Sequence, residues 1–126
     1  MIIKQSKDAT LIAKLNEPVH RLHHDIAPDL FKPYDFEGIK AWFEKKLNEE
    51  YAFAYIAYTD ENEPVGFILA YVLVEQEDVY QYQRNKILIE QISILDQYQN
   101  KGYGSALISK VEEVAHEKGI REVEID

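Results

Sequence analysis

The stretch 95–119 constrains the fold of this chain most, because an apolar strand-like run ends there and a helical pattern begins at once. Between them lies the segment 99–104, QNKGYG, in which two glycines enclose a tyrosine. The helical pattern covers about 102–118 and stops at Gly119, a residue type that commonly ends helices. Backbone N–H groups at the start of such a helix point towards anions, phosphate among them. The stretch therefore predicts an α/β protein with an anion-binding turn.

Two helices are predicted before the first long strand. The first follows Asp8, a plausible N-cap, and we expect Pro18 to kink or divide it. Its apolar face comprises Leu11, Leu15, Val19, Leu22 and Ile26. The second helix covers about 36–48 and is predicted to bury Phe36, Ile39, Trp42 or Phe43, and Leu47, with Trp42 assigned to the core.

Three strands come next, so the predicted order is helix, helix, strand, strand, strand, helix, strand, after a short N-terminal strand. Residues 51–75 form two β-rich runs around the polar turn DENEP, which predicts an antiparallel hairpin. The run KILIEQISIL predicts a third strand, and REVEID the start of another. This order indicates a single α/β domain over 1–126, with a mixed sheet covered by helices.

The charge and the composition exclude several functional classes. The net charge is -9, from 14 basic and 23 acidic residues, which argues against nucleic acid as a partner. The negative field either attracts cationic small molecules or only keeps the protein soluble. The chain has no cysteine and no apolar run near the ~20 residues of a membrane helix. We therefore expect a cytoplasmic protein without a membrane partner.

The glycine turn fits one of three phosphate-binding patterns. A P-loop needs Gly-Lys-Ser/Thr, which is missing, and a dinucleotide fingerprint needs glycine where Leu107 stands. Gln-x-x-Gly-x-Gly fits from Gln99 to Gly104. The alternative is a structural turn in which the glycines only relieve strain.

Residues 89–126 resemble the central region of the GNAT superfamily of acyl-CoA-dependent N-acyltransferases. IEQISILDQYQNKGYGSAL is similar to strand 4, the pyrophosphate loop and helix 3 of that family, and LHHDIAPDLFKP to its acceptor-side helix and loop. The resemblance implies the GNAT fold and transfer of the acetyl group of acetyl-CoA to a primary amine, by direct attack in a ternary complex. The acceptor expected is a small molecule. The alternatives are a protein N-acetyltransferase and a CoA-binding or dimerising module that does not catalyse.

The resemblance also implies which residues bind the acyl donor. The backbone of three strand residues would hold the pantetheine arm and the thioester, and the loop with the helix start would hold the pyrophosphate. The strand residues are Ile92, Ser93 and Ile94. The loop residues are Gln99, Asn100, Lys101, Gly102, Tyr103, Gly104 and Ser105.

Glu90 is the candidate catalytic base. The acceptor amine must lose a proton before it attacks, and a carboxylate near the thioester could take it. Strand alternation in ILIEQISI predicts Glu90 on the same face as Ile92 and Ile94. Some members of the family place a glutamate base at the matching position of strand 4. The alternative is a strand glutamate paired with a neighbouring Lys or Arg, or exposed at the sheet surface.

The family's usual general acid is a tyrosine on the helix after strand 5, beyond Asp126. We therefore expect this sequence to be truncated after strand 5, or completed by a partner chain, with the open sheet edge as a route to a homodimer. Tyr80 and Tyr82 precede strand 4 and could approach the acceptor side, but neither is assigned as the missing acid.

The segment HRLHH contains His20, His23 and His24 at spacings that resemble metal ligands. No acidic partners complete such a site, so no metal is predicted. A helical wheel places the three histidines opposite the leucine stripe of the first helix. From the family resemblance, His23 or His24 is a candidate for contact with the acceptor.

Overall fold

The computed structural model describes residues Met1–Asp126 and contains five strands and three helices in the predicted order. The elements are β1 Ile2–Gln5, α1 Ala9–Ile26, α2 Phe36–Leu47, β2 Ala52–Tyr58, β3 Pro64–Glu75, β4 Arg84–Ile94, α3 Tyr103–Glu117 and β5 Glu122–Ile125, with a short 3-10 turn at Asp96–Tyr98. The mixed α/β fold class is therefore confirmed.

The five strands form one sheet in the order β1-β2-β3-β4-β5. The first three pairings are antiparallel, and β4 pairs with β5 in parallel. The parallel pairing joins 86–89 to 122–125, and the Asp126 N–H donates to the Ile89 carbonyl at 2.9 Å. Residues 91–94 of β4 pair with β3 alone.

Helices cover both faces of the sheet, and alternate residues of β3 supply the two cores. Ile68 and Ala70 face α3, where they pack in one cluster with Leu107 and Val111. Phe67 and Leu69 face α1 and α2; their cluster includes Ile12, Phe43 and Leu47. None of the helices is long and apolar enough to cross a membrane.

Helix α1 is continuous through Pro18, so the predicted division does not occur. Asp8 caps it as predicted, because its Oδ1 accepts the Leu11 N–H at 3.1 Å. The apolar face is predicted correctly only in the first half: Leu15 is buried, whereas Leu22 and Ile26 are 55% and 73% exposed. The second half of α1 contacts the loop 27–35 instead of the sheet, through hydrogen bonds to Phe31 and Lys32 carbonyls.

In α2, Phe43 and not Trp42 enters the core. Phe43 is 1% exposed, and its ring packs edge-on against Phe67 with centroids 5.7 Å apart. Trp42 is 41% exposed, so its assignment to the core is wrong. Consecutive residues of a helix differ by about 100° in direction, so only one of the two can face the sheet.

Candidate active site

The turn before α3 exposes a row of unpaired backbone donors. Asn100 and Gly102 have left-handed φ angles of 62° and 92°, and Gly102 is the N-cap of α3. The first bond of the helix runs from the Ala106 N–H to the Gly102 carbonyl at 3.0 Å. The N–H groups of 101–105 have no acceptor within the protein. Five consecutive free N–H groups at a helix start form a concave anion site.

A cavity of about 390 Å³ lies directly beside these donors. Eight of the ten predicted acyl-donor residues line it, and Lys101 and Tyr103 do not. The Lys101 Nζ lies 5.7 Å from the centre of the Tyr98 ring, and the Tyr103 ring packs edge-on against Tyr98. These eight are Ile92, Ser93, Ile94, Gln99, Asn100, Gly102, Gly104 and Ser105, and Tyr98 is the ninth lining residue.

Side chains of the turn hold it against neighbouring strands. The Gln99 Nε2 donates to the Ile94 carbonyl at 3.2 Å, which ties the loop to the end of β4. The Tyr98 hydroxyl donates to Glu63 Oε2 at 3.0 Å, and this hydrogen bond raises the pKa of Tyr98 above its usual value. Gln99 therefore fixes the loop, in addition to lining its cavity.

The open side of β4 presents backbone groups of Ile92 and Ile94, but not of Ser93. The Leu95 N–H donates to the Val65 carbonyl at 2.9 Å, and Ser93 pairs with Phe67 two residues along. Bonded and non-bonded pairs alternate in an antiparallel ladder, so the backbone of Ser93 bonds to β3. Ile92 and Ile94 then direct their N–H and C=O groups away from β3, towards the cavity.

A β-bulge at Glu90 changes the alternation of β4. Leu69 pairs with Gln91 and Ala70 with Ile89, so Glu90 is an extra residue on β4. Because of it, Glu90 and Gln91 lie on the same face and contact α2 and α1 respectively.

The predicted shared face of Glu90, Ile92 and Ile94 is therefore wrong. Ile92 and Ile94 pack with the α3 cluster on the other side of the sheet. One additional residue reverses the side-chain direction that strict alternation assigns.

The Glu90 side chain is 23% exposed and forms an ion pair with α2. The Lys46 Nζ lies 3.3 Å from Glu90 Oε2 and also sits over the Tyr71 ring, 4.4 Å from its centre. The ammonium is not aligned for a hydrogen bond, so this shielded carboxylate oxygen has a neighbouring cation but no hydrogen-bond donor. The predicted pairing of Glu90 with a lysine is thus present, and Glu90 also lines a cavity.

This second cavity has a volume of about 580 Å³ and lies between β4 and the second half of α1. Its wall includes Asn16, His20 and His23 of α1 together with Glu90 and Gln91. Both cavities include Ile92 and Ser93, and a third, of about 440 Å³, overlaps each of them along β4. The three cavities therefore form a row along β4, from the glycine turn to Glu90, which is called the cleft below.

The histidines of α1 hold the loop that closes the second cavity. The His20 Nε2 lies 2.8 Å from the Lys32 carbonyl, and the His24 Nδ1 lies 2.7 Å from the Phe31 carbonyl. The His23 ring packs on the Phe31 ring with centroids 5.0 Å apart. Of the two candidates for acceptor contact, His23 lines the cavity and His24 does not. His20, which was not a candidate, also lines it. No three His, Asp or Glu side chains come together as a metal-binding group.

Sequence reasoning missed Asn16, Gln91 and Lys46. Asn16 had a usable signal, because it is a polar residue on the same helical stripe as the buried Ile12 and Ala13. Lys46 and Gln91 had none, since their contacts depend on how α2 and α1 pack against the bulge of β4. Tyr80 and Tyr82 are 90% and 88% exposed, in the connector before β4.

Comparisons with solved structures identify the same fold. A tetramutant of the BH1408 protein from Bacillus halodurans matches with a TM-score of 0.90 and 16% identity, over 100% of this chain and 82% of that chain. A ribosomal-protein-alanine N-acetyltransferase from Brucella melitensis matches with a TM-score of 0.70 and 22% identity, over 100% and 80%. An aminoglycoside 6'-N-acetyltransferase from Acinetobacter haemolyticus matches with a TM-score of 0.71 and 20% identity, over 100% and 79%.

Identities this low establish the architecture alone, and no curated protein sequence matches the chain. A family model for acetyltransferases of the GNAT family matches residues 17–126, which include the glycine turn, the bulged strand and most of α1. The chain therefore belongs to the acetyltransferase (GNAT) family.

Proposed function

We propose that the protein transfers the acetyl group of acetyl-CoA to a primary amine of a small molecule, by direct attack within a ternary complex. The observation that carries this proposal is the row of adjoining cavities along β4, with the free N–H groups of 101–105 at one end and Glu90 at the other. One end of the cleft suits an anion, and the other end can accept a proton. Membership of the family supports the acyl donor.

The residues along the cleft suit coenzyme A. The unpaired N–H groups at the start of α3 would hold the pyrophosphate, since each of them needs an acceptor. The outward-facing backbone groups of Ile92 and Ile94 would pair with the pantetheine amides as an added strand does. Gly102 and Gly104 would let the phosphates approach the backbone closely. Lys101, exposed beside the turn, would add a positive charge.

The reaction proceeds by a proton transfer and one displacement. Glu90 takes a proton from the substrate ammonium, directly or through a water, and the neutral nitrogen attacks the thioester carbon. The new C–N bond forms as the C–S bond breaks, and coenzyme A leaves as a thiolate that takes up a proton. The products are the acetyl amide, coenzyme A and one proton. Direct attack suits a chain without cysteine, in which no nucleophile for an acyl-enzyme stands out.

A small cationic acceptor is favoured by the charge of the protein and by the cavity. The net charge of -9 raises the local concentration of amines. The cavity beside Glu90 holds about 580 Å³, which suits a ligand of drug size. One structural neighbour is named as an aminoglycoside acetyltransferase and another as a ribosomal-protein-alanine acetyltransferase, so peptides belong in the test.

The experiment measures free thiol released from acetyl-CoA with a panel of alkylamines, polyamines, aminoglycosides and peptides with a free N-terminus. Each acceptor is compared with a reaction that contains no amine, and coenzyme A binding is measured separately by calorimetry. We expect release with a subset of the small amines. Release with peptides alone would establish a protein N-acetyltransferase. Coenzyme A binding without release for any acceptor would contradict the proposed activity and favour a non-catalytic module.

A cytoplasmic location and a homodimer formed through the β5 edge stay predictions. β5 lies at the edge of the sheet and pairs with β4 alone, so its other side can accept a strand. Light scattering after gel filtration measures the mass in solution, and a mass of 14.7 kDa at all concentrations would contradict the homodimer.

A further inference from the structure

Asn16 is a buried polar residue of α1 whose side-chain amide donates a hydrogen bond but accepts none. It is 6% exposed, and its Nδ2 donates to Gln91 Oε1 at 3.2 Å. Its Oδ1 is shielded from solvent and accepts no hydrogen bond. A buried carbonyl oxygen without a donor destabilises the free protein, so the missing donor calls for an explanation.

No donor of the protein is hydrogen-bonded to this oxygen. The backbone N–H groups around Asn16 are engaged within α1. The neighbouring Gln91 meets Asn16 through its acceptor Oε1, which takes the hydrogen of Asn16 Nδ2, and the His20 Nε2 lies against the Lys32 carbonyl. The Asn16 side chain lines the cavity of about 580 Å³, so a ligand in that cavity lies beside it.

Glu90 lies in the same cavity wall, next to the residue that holds Asn16. Gln91 follows Glu90 directly in the bulge, and both face the α1 and α2 side of the sheet. Glu90 Oε2 is likewise shielded and without a hydrogen-bond donor. Two residues that line one cavity therefore each have a shielded oxygen without a hydrogen-bond donor, one in an amide and one in a carboxylate.

The number of hydrogens on the attacking atom of the substrate decides whether that substrate can donate to both Glu90 and Asn16. A primary amine that has lost one proton to Glu90 still carries two N–H groups, and one can donate to Asn16 while the lone pair attacks. An alcohol gives its only hydrogen to Glu90 and then turns a lone pair towards Asn16 Oδ1. A site built to accept a hydrogen bond discriminates strongly against a ligand that cannot donate it.

We propose that Asn16 Oδ1, held in place by Gln91, accepts a hydrogen bond from the acceptor nitrogen and selects amines over alcohols. This inference rests on the proposed acetyl transfer and adds a residue that determines its nitrogen specificity. Asn16 takes no part in proton transfer, because its amide neither gains nor loses a proton during the reaction.

The test compares Asn16→Leu and Asn16→Asp with the wild-type chain. Leucine is similar in size and has no acceptor, whereas aspartate keeps an oxygen at the same place. The measurements are kcat, the KM of the best amine in the panel, the KM of acetyl-CoA, and the inhibition constant of the matching alcohol. Circular dichroism and thermal unfolding establish that each variant is folded.

We expect Asn16→Leu to raise the KM of the amine about 5- to 100-fold, the equivalent of a lost hydrogen bond to a buried oxygen. The KM of acetyl-CoA and the inhibition by the alcohol stay unchanged, and Asn16→Asp keeps the KM of the amine close to wild type. An unchanged KM for the amine, or equal weakening of amine and alcohol, overturns the proposal. If Asn16→Leu does not fold, Asn16→Ala is measured in the same way.

Failure of the proposed reaction gives a different result from failure of this inference. If the wild type releases thiol with no amine, the transfer activity is what fails. Binding of n-butylamine and 1-butanol to the complex with coenzyme A then tests Asn16 directly. Preference for the amine that is lost in Asn16→Leu supports its role, and an equal affinity of the wild type for both ligands overturns it.

Discussion

The Lys46 Nζ lies 3.3 Å from Glu90 Oε2, across the interface between α2 and the bulge of β4. The two side chains are 20% and 23% exposed, so this pair is more shielded from water than the surface ion pairs of the same helix. The ammonium holds the carboxylate at the wall of the cavity between β4 and α1. The cationic substrate proposed above would therefore approach a carboxylate that already has a cation beside it.

Replacement of the carboxylate is expected to affect turnover and not the binding of acetyl-CoA. Glu90→Gln keeps the size of the side chain and removes its basicity, so we expect kcat to fall by roughly 10²- to 10⁴-fold. Thiol release measures kcat, and calorimetry measures the Kd of acetyl-CoA. An equal loss of turnover and acetyl-CoA affinity would contradict the assignment of Glu90 as the base.

The ion pair is also expected to stabilise the fold. Lys46→Met leaves a shielded carboxylate without its cation, and we expect the free energy of unfolding to fall by about 1–2 kcal/mol. Lys40→Met is the matched control on the same helix, since Lys40 forms a more exposed pair with Glu44 at 3.9 Å. Urea unfolding of both variants measures the difference. An equal loss of unfolding free energy in both variants would mean that the pair between Lys46 and Glu90 stabilises the fold no more than an exposed ion pair does.

The left-handed glycine of the turn is expected to matter for the ligand as well as for the fold. Gly102→Ala and Gly119→Ala both place a side chain at a positive φ, 92° and 71°, and each is expected to cost about 1–2 kcal/mol of stability. Only Gly102 lies within the row of free N–H groups, so only its variant should weaken coenzyme A binding, by roughly tenfold or more. Calorimetry with coenzyme A measures this difference. A similar loss in both variants would argue against the turn as the phosphate site.

Proline substitutions distinguish the two sides of β4. Ser93→Pro removes a donor that bonds to β3 and is expected to destabilise the sheet, whereas Ile92→Pro removes a donor that faces the cleft. We expect Ile92→Pro to weaken acetyl-CoA binding more than Ile92→Ala, which loses the same packing but keeps the N–H group. Calorimetry gives the affinities, and thermal unfolding gives the stabilities. Equal affinities of the two Ile92 variants would contradict pairing between the pantetheine arm and β4.

Acidification is expected to weaken the junction of β3, β4 and β5. Lys86 and then Arg84 hold the pKa of the Glu75 carboxyl below its usual value, and the same two cations reach Glu124 and Glu122 of β5. A lowered pKa contributes stability that is present above about pH 4.5 and is lost as the pH falls through the folded-state value. Glu75→Gln should therefore lower the unfolding temperature at neutral pH, by an amount that shrinks as the pH falls below about 4.5. A difference that stays constant as the pH falls would contradict this linkage.

Features that depend on residues near one another in the sequence are predicted correctly. Contacts between elements that are distant in the sequence are not. Apolar periodicity and the glycine turn are local signals, and they suffice for the order of the elements and the position of the loop. The choice between Trp42 and Phe43 depends on the angle at which α2 crosses the sheet. The contacts of Asn16 depend on the packing of α1, and the direction of Glu90 depends on its register with β3. Pro18 is tolerated inside α1, against the local rule.

Because of the bulge, the proposed base Glu90 has no pairing partner on β3. Gln91 pairs with Leu69 and Ile89 with Ala70, so each side of β4 would keep its pairing if Glu90 were removed. Glu90 is thus an inserted residue in β4, and it belongs to neither of the two hydrophobic cores. In evolutionary terms, a single-codon deletion or insertion could remove or restore the reaction while the scaffold continued to fold.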